Sequence, residues 1–252
     1  MKVDYDILKA HDKQAPFYKY RTPYARSLFP ALVEKLSITP QSTLLDVCCG
    51  QGELAVPLAE HARKVYAIDG AEEMLAHARP HDRVEYARCD VNIDGFAAPA
   101  PVDHIVIGRA LHWLKPDSLQ RLIDANLAEG GKFVICSTYW YSGWDIIKTL
   151  NEIAHKYQIV DNYEKGAFDT REKMENVKFS PEYLVKSRAV FKVRPQNLLY
   201  HFLSQAYGEK FDILYERSSE LSADIQKVVA PFVKNGRVAL PLISYGKIFR
   251  RD

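Results

Sequence analysis

The stretch Leu44-Leu45-Asp46-Val47-Cys48-Cys49-Gly50-Gln51-Gly52 constrains this chain more than any other. An apolar run reaches Asp46, passes into a tight loop with glycines at Gly50 and Gly52, and leads to a helical pattern. Glycine tolerates positive φ and lets backbone approach a ligand closely. The segment therefore reads as a buried strand delivering its carboxyl end to a binding loop.

The rest of the first half repeats that unit. Runs 43–48, 64–69, 83–88, 102–108 and 131–138 read as strands, with helices over 53–61, 71–79 and 116–128, the last opened by Pro116. Near-continuous apolar strands alternating with helices predict a doubly wound α/β fold, a parallel sheet covered on both faces. Its ligand crevice belongs at the carboxyl ends of the strands. Beyond residue 138 the rhythm breaks: a helix over 144–157, a loop around 162–170, a strand at 188–194, helices from Pro195 to Tyr207 and over 218–234, then a last strand after Gly236. With 252 residues the chain suits one domain with a cap.

Charge and cysteine usage exclude several classes. The formal net charge is +2 and there is no run of five like charges, which argues against a nucleic-acid or membrane-surface partner. No apolar stretch approaches the roughly 18 residues that span a bilayer, and the N-terminal MKVDYDILKAHDK is too polar for a secretory signal. Cys48, Cys49, Cys89 and Cys136 form no C-x-x-C pair and no metal-ligand spacing. Reduced thiols, a cytoplasmic location and no bound metal are the expectation. Oligomeric state is not readable.

The loop itself admits two ligands. Gly50-Gln-Gly52-Glu-Leu-Ala55 satisfies the dinucleotide fingerprint, with Asp69 about twenty residues on to take ribose hydroxyls. Asp46 discriminates between them. A carboxylate at that strand end repels a pyrophosphate in a partly desolvated site, yet suits a ligand that carries an ammonium group and a sulfonium cation.

Four later segments carry a family resemblance. Ala67-Ile-Asp-Gly-Ala-Glu-Glu-Met-Leu75, Arg88-Cys89-Asp90-Val91, Val102-Asp-His-Ile-Val106 and Leu127-Ala-Glu-Gly-Gly-Lys-Phe133 follow the loop in order. With the loop, they resemble the motifs of class I methyltransferases, which bind S-adenosylmethionine, over about residues 40–138. Cys48 stands where that family usually has glycine, Ala71 where it has serine, and Glu129 where it has proline. The resemblance implies a Rossmann-like, mostly parallel seven-stranded sheet and an inserted cap after strand 5, at 139–187. It implies a helical segment, 1–40, over the cofactor. It places Asp46, Cys48, Gly50, Gly52, Asp69, Gly70, Met74, Asp90, Val91 and Arg109 at the cofactor, with Asp90 at the adenine.

Arg109-Ala-Leu-His112-Trp113 after the fourth strand is similar to the small-molecule branch that includes trans-aconitate methyltransferase. Phe17-Tyr18-Lys-Tyr20-Arg21-Thr-Pro23-Tyr24 is similar, with imperfect spacing, to a segment that branch folds over the cofactor. This implies Tyr18 and Arg21 near its carboxylate end. His112 is the candidate base, because imidazole titrates near neutral pH. Tyr139, Trp140, Tyr141 and Trp144, with Trp113, suggest a flat or apolar small-molecule acceptor held by stacking. Arg109 and Arg171 suit an acidic acceptor that would be methyl-esterified. A nucleic-acid methyltransferase, a silent S-adenosylmethionine-binding protein and an NAD-binding oxidoreductase complete the alternatives.

Overall fold

The computed structural model describes residues 11–159, 179–206 and 208–251. Its described elements are α1 (Ala15–Tyr18), α2 (Leu28–Leu36), β1 (Thr43–Val47), α3 (Ala55–Ala59), β2 (Lys64–Asp69), α4 (Glu72–Ala76), β3 (Val84–Arg88) and β4 (Val102–Gly108). A 3-10 turn (Leu111–Trp113), α5 (Pro116–Asn126), β5 (Leu127–Trp140), α6 (Asp145–Lys156), β6 (Phe179–Val193), α7 (Asn197–Leu203), α8 (Glu209–Glu216), α9 (Ser218–Val229) and β7 (Val238–Arg251) follow.

The seven strands form one sheet in the order β3-β2-β1-β4-β5-β7-β6. β1 lies parallel to β2, with Asp46 opposite Ala67, and parallel to β4, with Asp46 opposite Val106. The pairs β2–β3 and β4–β5 are also parallel. A doubly wound, mostly parallel α/β sheet is the observed class.

Contacts divide the chain into two compact units. The larger holds residues 24–137 with the described stretches 179–187 and 244–251; the smaller holds 11–23, 138–159 and 188–243, apart from Tyr207. The expected cap of 139–187 thus differs from the observed grouping. Residues 179–187 are the first part of β6, and the smaller unit draws on three stretches of chain. The expected 1–40 segment is divided as well, since α2 belongs to the larger unit. The loop expected around 162–170 and Arg171 lie outside the described residues.

In the larger unit β1, β4 and β5 bury both faces. Leu44, Val106 and Val134 point into one core with Leu28, Leu32 and Leu36 of α2 and Leu58 of α3. Their neighbours Leu45, Val47, Ile105, Ile107, Phe133 and Ile135 point into the other, against Leu119, Leu122 and Ile123 of α5. Pleating sends successive side chains to opposite faces, so a one-residue slip would exchange the two cores. α5 shows why its sequence makes a helix: Pro116 at the first turn, Asp117 against the helix dipole, and an apolar stripe at Leu119, Leu122 and Ile123. It ends on Asn126, whose side chain donates to the carbonyls of Phe96 and Leu122 and accepts from the N–H of Ala98.

The smaller unit has its own core, from Ile146, Ile147, Leu150 and Ile153 of α6, Leu198 and Phe202 of α7, Phe211 and Leu214 of α8, and Leu221 and Ile225 of α9. Sequence reading missed α8, a short helix that buries only Phe211 and Leu214. No helix among the described residues is long and apolar enough to cross a membrane.

Phe133 is fully buried, its ring 6.0 Å from Phe179 and 6.1 Å from Phe249. Phe133→Ala should cost about 3–5 kcal/mol and lower the melting temperature by roughly 10 °C. A thermal melt that moves by a degree or two would show that the site collapses around the cavity instead.

Candidate functional site

β1, β2 and β4 end together, and the loop after β1 is fastened where they end. The Cys49 N–H donates to the Ile68 carbonyl at 3.0 Å, continuing the β1–β2 ladder one step past the strand. The Gly50 N–H donates to one carboxylate oxygen of Asp69 at 2.8 Å, and the Ala71 N–H donates to the other at 2.9 Å. Asp69 thus holds the loops after β1 and β2 side by side. Each carboxylate oxygen has a second lone pair, so Asp69 can still accept from ribose hydroxyls. It does not act as an ordinary helix cap, because the residue at the cap position of α4 is Ala71.

Gly50 and Gly52 have φ of +57° and +84°. A Cβ on Gly52 would collide with the hydroxyl of Tyr86. That hydroxyl donates to the Arg79 carbonyl at 2.8 Å, and the Arg79 guanidinium donates to the Gly52 carbonyl at 2.9 Å. Arg79 and Tyr86 therefore clamp the loop from outside. Neither carries a sequence signal, because each is defined only by its partner far along the chain.

Cys48 corrects one expectation. A cysteine in place of the family's glycine is tolerable where the residue keeps an extended backbone. Instead Cys48 has φ of +55°, in the left-handed region. A non-glycine residue there carries about 1–2 kcal/mol of strain. Its side chain offsets part of that by packing against the core that holds Val47, Ile68 and Cys89. Burial pushes its thiol well above the ordinary range, with Asp69, Asp46 and Asp90 adding to the effect. It is an uncharged wall of the loop and no nucleophile.

Asp46 is the sharpest feature. It is 1% exposed, and neither carboxylate oxygen accepts a hydrogen bond of ordinary geometry. Burial raises its pKa well above the usual carboxylate value, with Glu53 and Asp69 pushing the same way and the Ala55 N–H opposing. An unpaired buried acid is costly, since lost hydration is not replaced. A cationic group in the loop would supply the missing donor and reverse the shift.

Past β3, Asp90 accepts the Asn92 N–H at 2.9 Å, and the Asn92 side chain donates to the Trp113 carbonyl at 2.9 Å and accepts from the Lys115 N–H at 2.8 Å. Asn92, also invisible to motif reading, thus ties the loop bearing Asp90 to the turn bearing His112 and Trp113. Val91 and Met74 are buried and Gly70 is half-buried. His112 is exposed, its ring 4.5 Å from that of Trp113, while Trp113 packs against the core. Arg109, at φ +57°, donates its N–H to the Cys136 carbonyl and lays its guanidinium over the Tyr24 ring at 5.1 Å.

The remaining candidates lie in the smaller unit. Arg21 stacks over the Tyr18 ring at 4.9 Å. Trp140 stacks on His201 at 4.4 Å and helps build that unit's core. Tyr141 and Trp144 are 43% and 42% exposed, and Tyr139 is half-buried.

A sheet ordered 3-2-1-4-5-7-6, with a glycine loop after β1 and carboxylates at the ends of β1, β2 and β3, is the architecture of class I methyltransferases. A family model described as a methyltransferase domain matches residues 44–131. A solved chain from Anaeromyxobacter dehalogenans, provisionally assigned as a type II methyltransferase, superposes with a TM-score of 0.65 at 19% identity, covering 91% of this chain and 96% of that one. An S-adenosylmethionine-dependent methyltransferase from Geobacter sulfurreducens, solved with S-adenosylhomocysteine, gives 0.52 at 14% identity, covering 98% and 99%. These two show the fold. A protein-L-isoaspartate O-methyltransferase of Polaromonas is 32% identical over 109 residues, 41% of this chain and 44% of that protein. Other curated relatives include an rRNA uracil methyltransferase of Photobacterium profundum, 26% identical over 47% of this chain and 24% of its own length. The chain spans about half or less of the length of these curated relatives.

Asp46→Asn should raise the melting temperature of the ligand-free protein, by about 2–4 °C for each kcal/mol of relieved burial cost. A carboxyl whose folded pKa is raised contributes stability below its unfolded pKa and loses it as pH rises through the folded value. The advantage of the Asn variant should therefore grow as pH rises from about 4, as a pH series of thermal melts would show. Gly52→Ala should lower stability by about 1–3 kcal/mol through strain and collision; denaturant titration reads the change.

Proposed function

We propose that this chain transfers the methyl group of S-adenosylmethionine to a small-molecule acceptor. The observation that carries the cofactor half of this reading is the orphaned carboxylate of Asp46, which lacks the donor an amino-acid ammonium would provide. Asp69 would take the ribose hydroxyls and Asp90 the adenine amino group, with Met74 and Val91 as apolar walls. Gly50, Gly52 and Cys48 would follow the ligand with backbone, beside Gly70. Tyr18, Arg21 and Arg109 would serve its carboxylate end.

The sulfonium of the donor supplies an already activated methyl group. The protein's task is then to hold the acceptor in line and at attack distance, which can supply several kcal/mol of barrier reduction. If the acceptor atom is a hydroxyl or a protonated nitrogen, its proton goes to the His112 imidazole, and the electron pair this leaves forms the new bond to the methyl carbon as the carbon–sulfur bond breaks and its electrons stay on sulfur. The exposure of His112 suits a residue that exchanges protons with solvent. Tyr139, Trp140, Tyr141 and Trp144 are the proposed acceptor contacts, with Trp113. Of these, Tyr141 and Trp144 keep the most free ring surface.

A small acceptor is favoured because the segment after β4 reads Arg109-Ala-Leu-His112, without the N/D-P-P-Y/F motif of nucleic-acid methyltransferases. Methyl esterification of a carboxylic acid is the second reading, favoured by the Arg109 guanidinium.

Scanning fluorimetry tests the cofactor. S-adenosylhomocysteine should raise the melting temperature by mass action while NAD does not, and Asp69→Ala should remove most of the rise. No rise with the nucleoside would end the proposal. For the acceptor, radiolabel from methyl-tritiated donor in a cell extract should enter a low-mass fraction that survives nuclease and protease. Label confined to RNA or protein would overturn the small-molecule reading. His112→Ala should lose most turnover with little change in cofactor affinity.

A further inference from the structure

The small net charge conceals a strong separation. Residues 183–208 and 225–251 contain ten lysines and arginines and no aspartate or glutamate. Since the whole chain has 34 cations and 32 carboxylates, the other residues carry 24 against 32, so +10 on these stretches faces −8 elsewhere. No run of like charges betrays this, because apolar strand residues are interleaved.

Six of these cations belong to the smaller unit; Lys227 is on α9, and the other five are Arg188 and Lys192 on β6, Arg194 just past it, and Lys234 and Arg237 flanking the turn before β7. All five are exposed, and none is in an ion pair among the described residues. Positions 188, 190, 192 and 194 share one side of an extended chain, about 6.6 Å apart, while Val193 turns inward. The Asn235-Gly236 turn is closed by paired backbone bonds between Lys234 and Arg237, and the Arg237 guanidinium donates to the Lys192 carbonyl at 3.5 Å. That bond sets the turn cations beside those of β6. Arg188 lies over the ring of Tyr141 at 5.5 Å, and the Tyr141 N–H is fixed to the Pro241 carbonyl at 2.8 Å.

We propose that this edge of the smaller unit binds single-stranded nucleic acid. Uncompensated cations at regular intervals along an extended strand match a flexible phosphodiester chain, and a fixed, exposed tyrosine ring backed by arginine offers a face for a base. A lipid surface fits less well, because Val190 is the one bulky aliphatic side chain exposed on that side of β6 within this unit. The proposal shares Tyr141 with the acceptor contacts named above but does not rest on the methyl-transfer reading.

Fluorescence anisotropy with a labelled fifteen-nucleotide oligouridine decides it. Binding is expected at low salt, weakening with a log–log slope of about −2 to −3.5, the sum over three to five phosphate contacts. The combined variant Lys192→Glu, Arg194→Glu, Lys234→Glu should weaken it at least tenfold, with an unchanged melting temperature and an unchanged rise with S-adenosylhomocysteine. Those two controls separate this proposal from the methyl-transfer reading. Should the combined variant not melt cooperatively, Lys192→Gln with Arg194→Gln should give a smaller loss of the same sign. Absence of binding at low salt, equal binding by the variants, or capture by phosphatidylserine vesicles without oligonucleotide binding would overturn it.

Discussion

Three parallel strands buried on both faces leave the larger unit one place for polar chemistry, the loops at their carboxyl ends. Leu44 and Leu45 fill opposite cores, as do Val106 and its two neighbours, so the register of β1 and β4 cannot slip without exchanging the two cores. That fixed register is what carries Asp46 to the last turn of pleat before the loop, and what lets Asp69 reach Gly50. The site is a consequence of the packing beneath it.

Within that frame two carboxylates are treated in opposite ways. Asp69 accepts two backbone N–H groups and serves the structure before any ligand arrives. Asp46 accepts none of ordinary geometry and is held where its charge is least welcome. The first makes the loop rigid and the second makes it selective. A pyrophosphate would worsen the electrostatic position of Asp46, and an ammonium relieves it. Glycines alone would not have drawn that distinction.

The sheet, most strand limits and the acidic positions at the strand ends were legible because each rests on local pattern: apolar runs, glycine punctuation, a carboxylate at a strand end. What escaped reading depends on partners far along the chain. Arg79, Tyr86 and Asn92 look like ordinary surface residues until the fold brings Gly52 and Trp113 to them. The positive φ of Cys48 was not legible, because a cysteine in sequence gives no sign that neighbouring bonds force it into a glycine conformation. The division of the chain into units was also obscured, since β5, β6 and β7 each run from one unit into the other without a break in pattern. Net charge likewise hid the ten cations gathered without a carboxylate in residues 183–208 and 225–251, because it sums over the whole chain.

The clamp of Arg79 and Tyr86 on Gly52 has a consequence for how a ligand is received. The loop's carbonyls and amides are already engaged from outside, so its shape exists before binding, and little backbone freedom is left to lose on association. Such a cradle selects by fit and charge. Its affinity would be governed by stripping water from the arriving cation, and the protein itself would contribute almost no ordering.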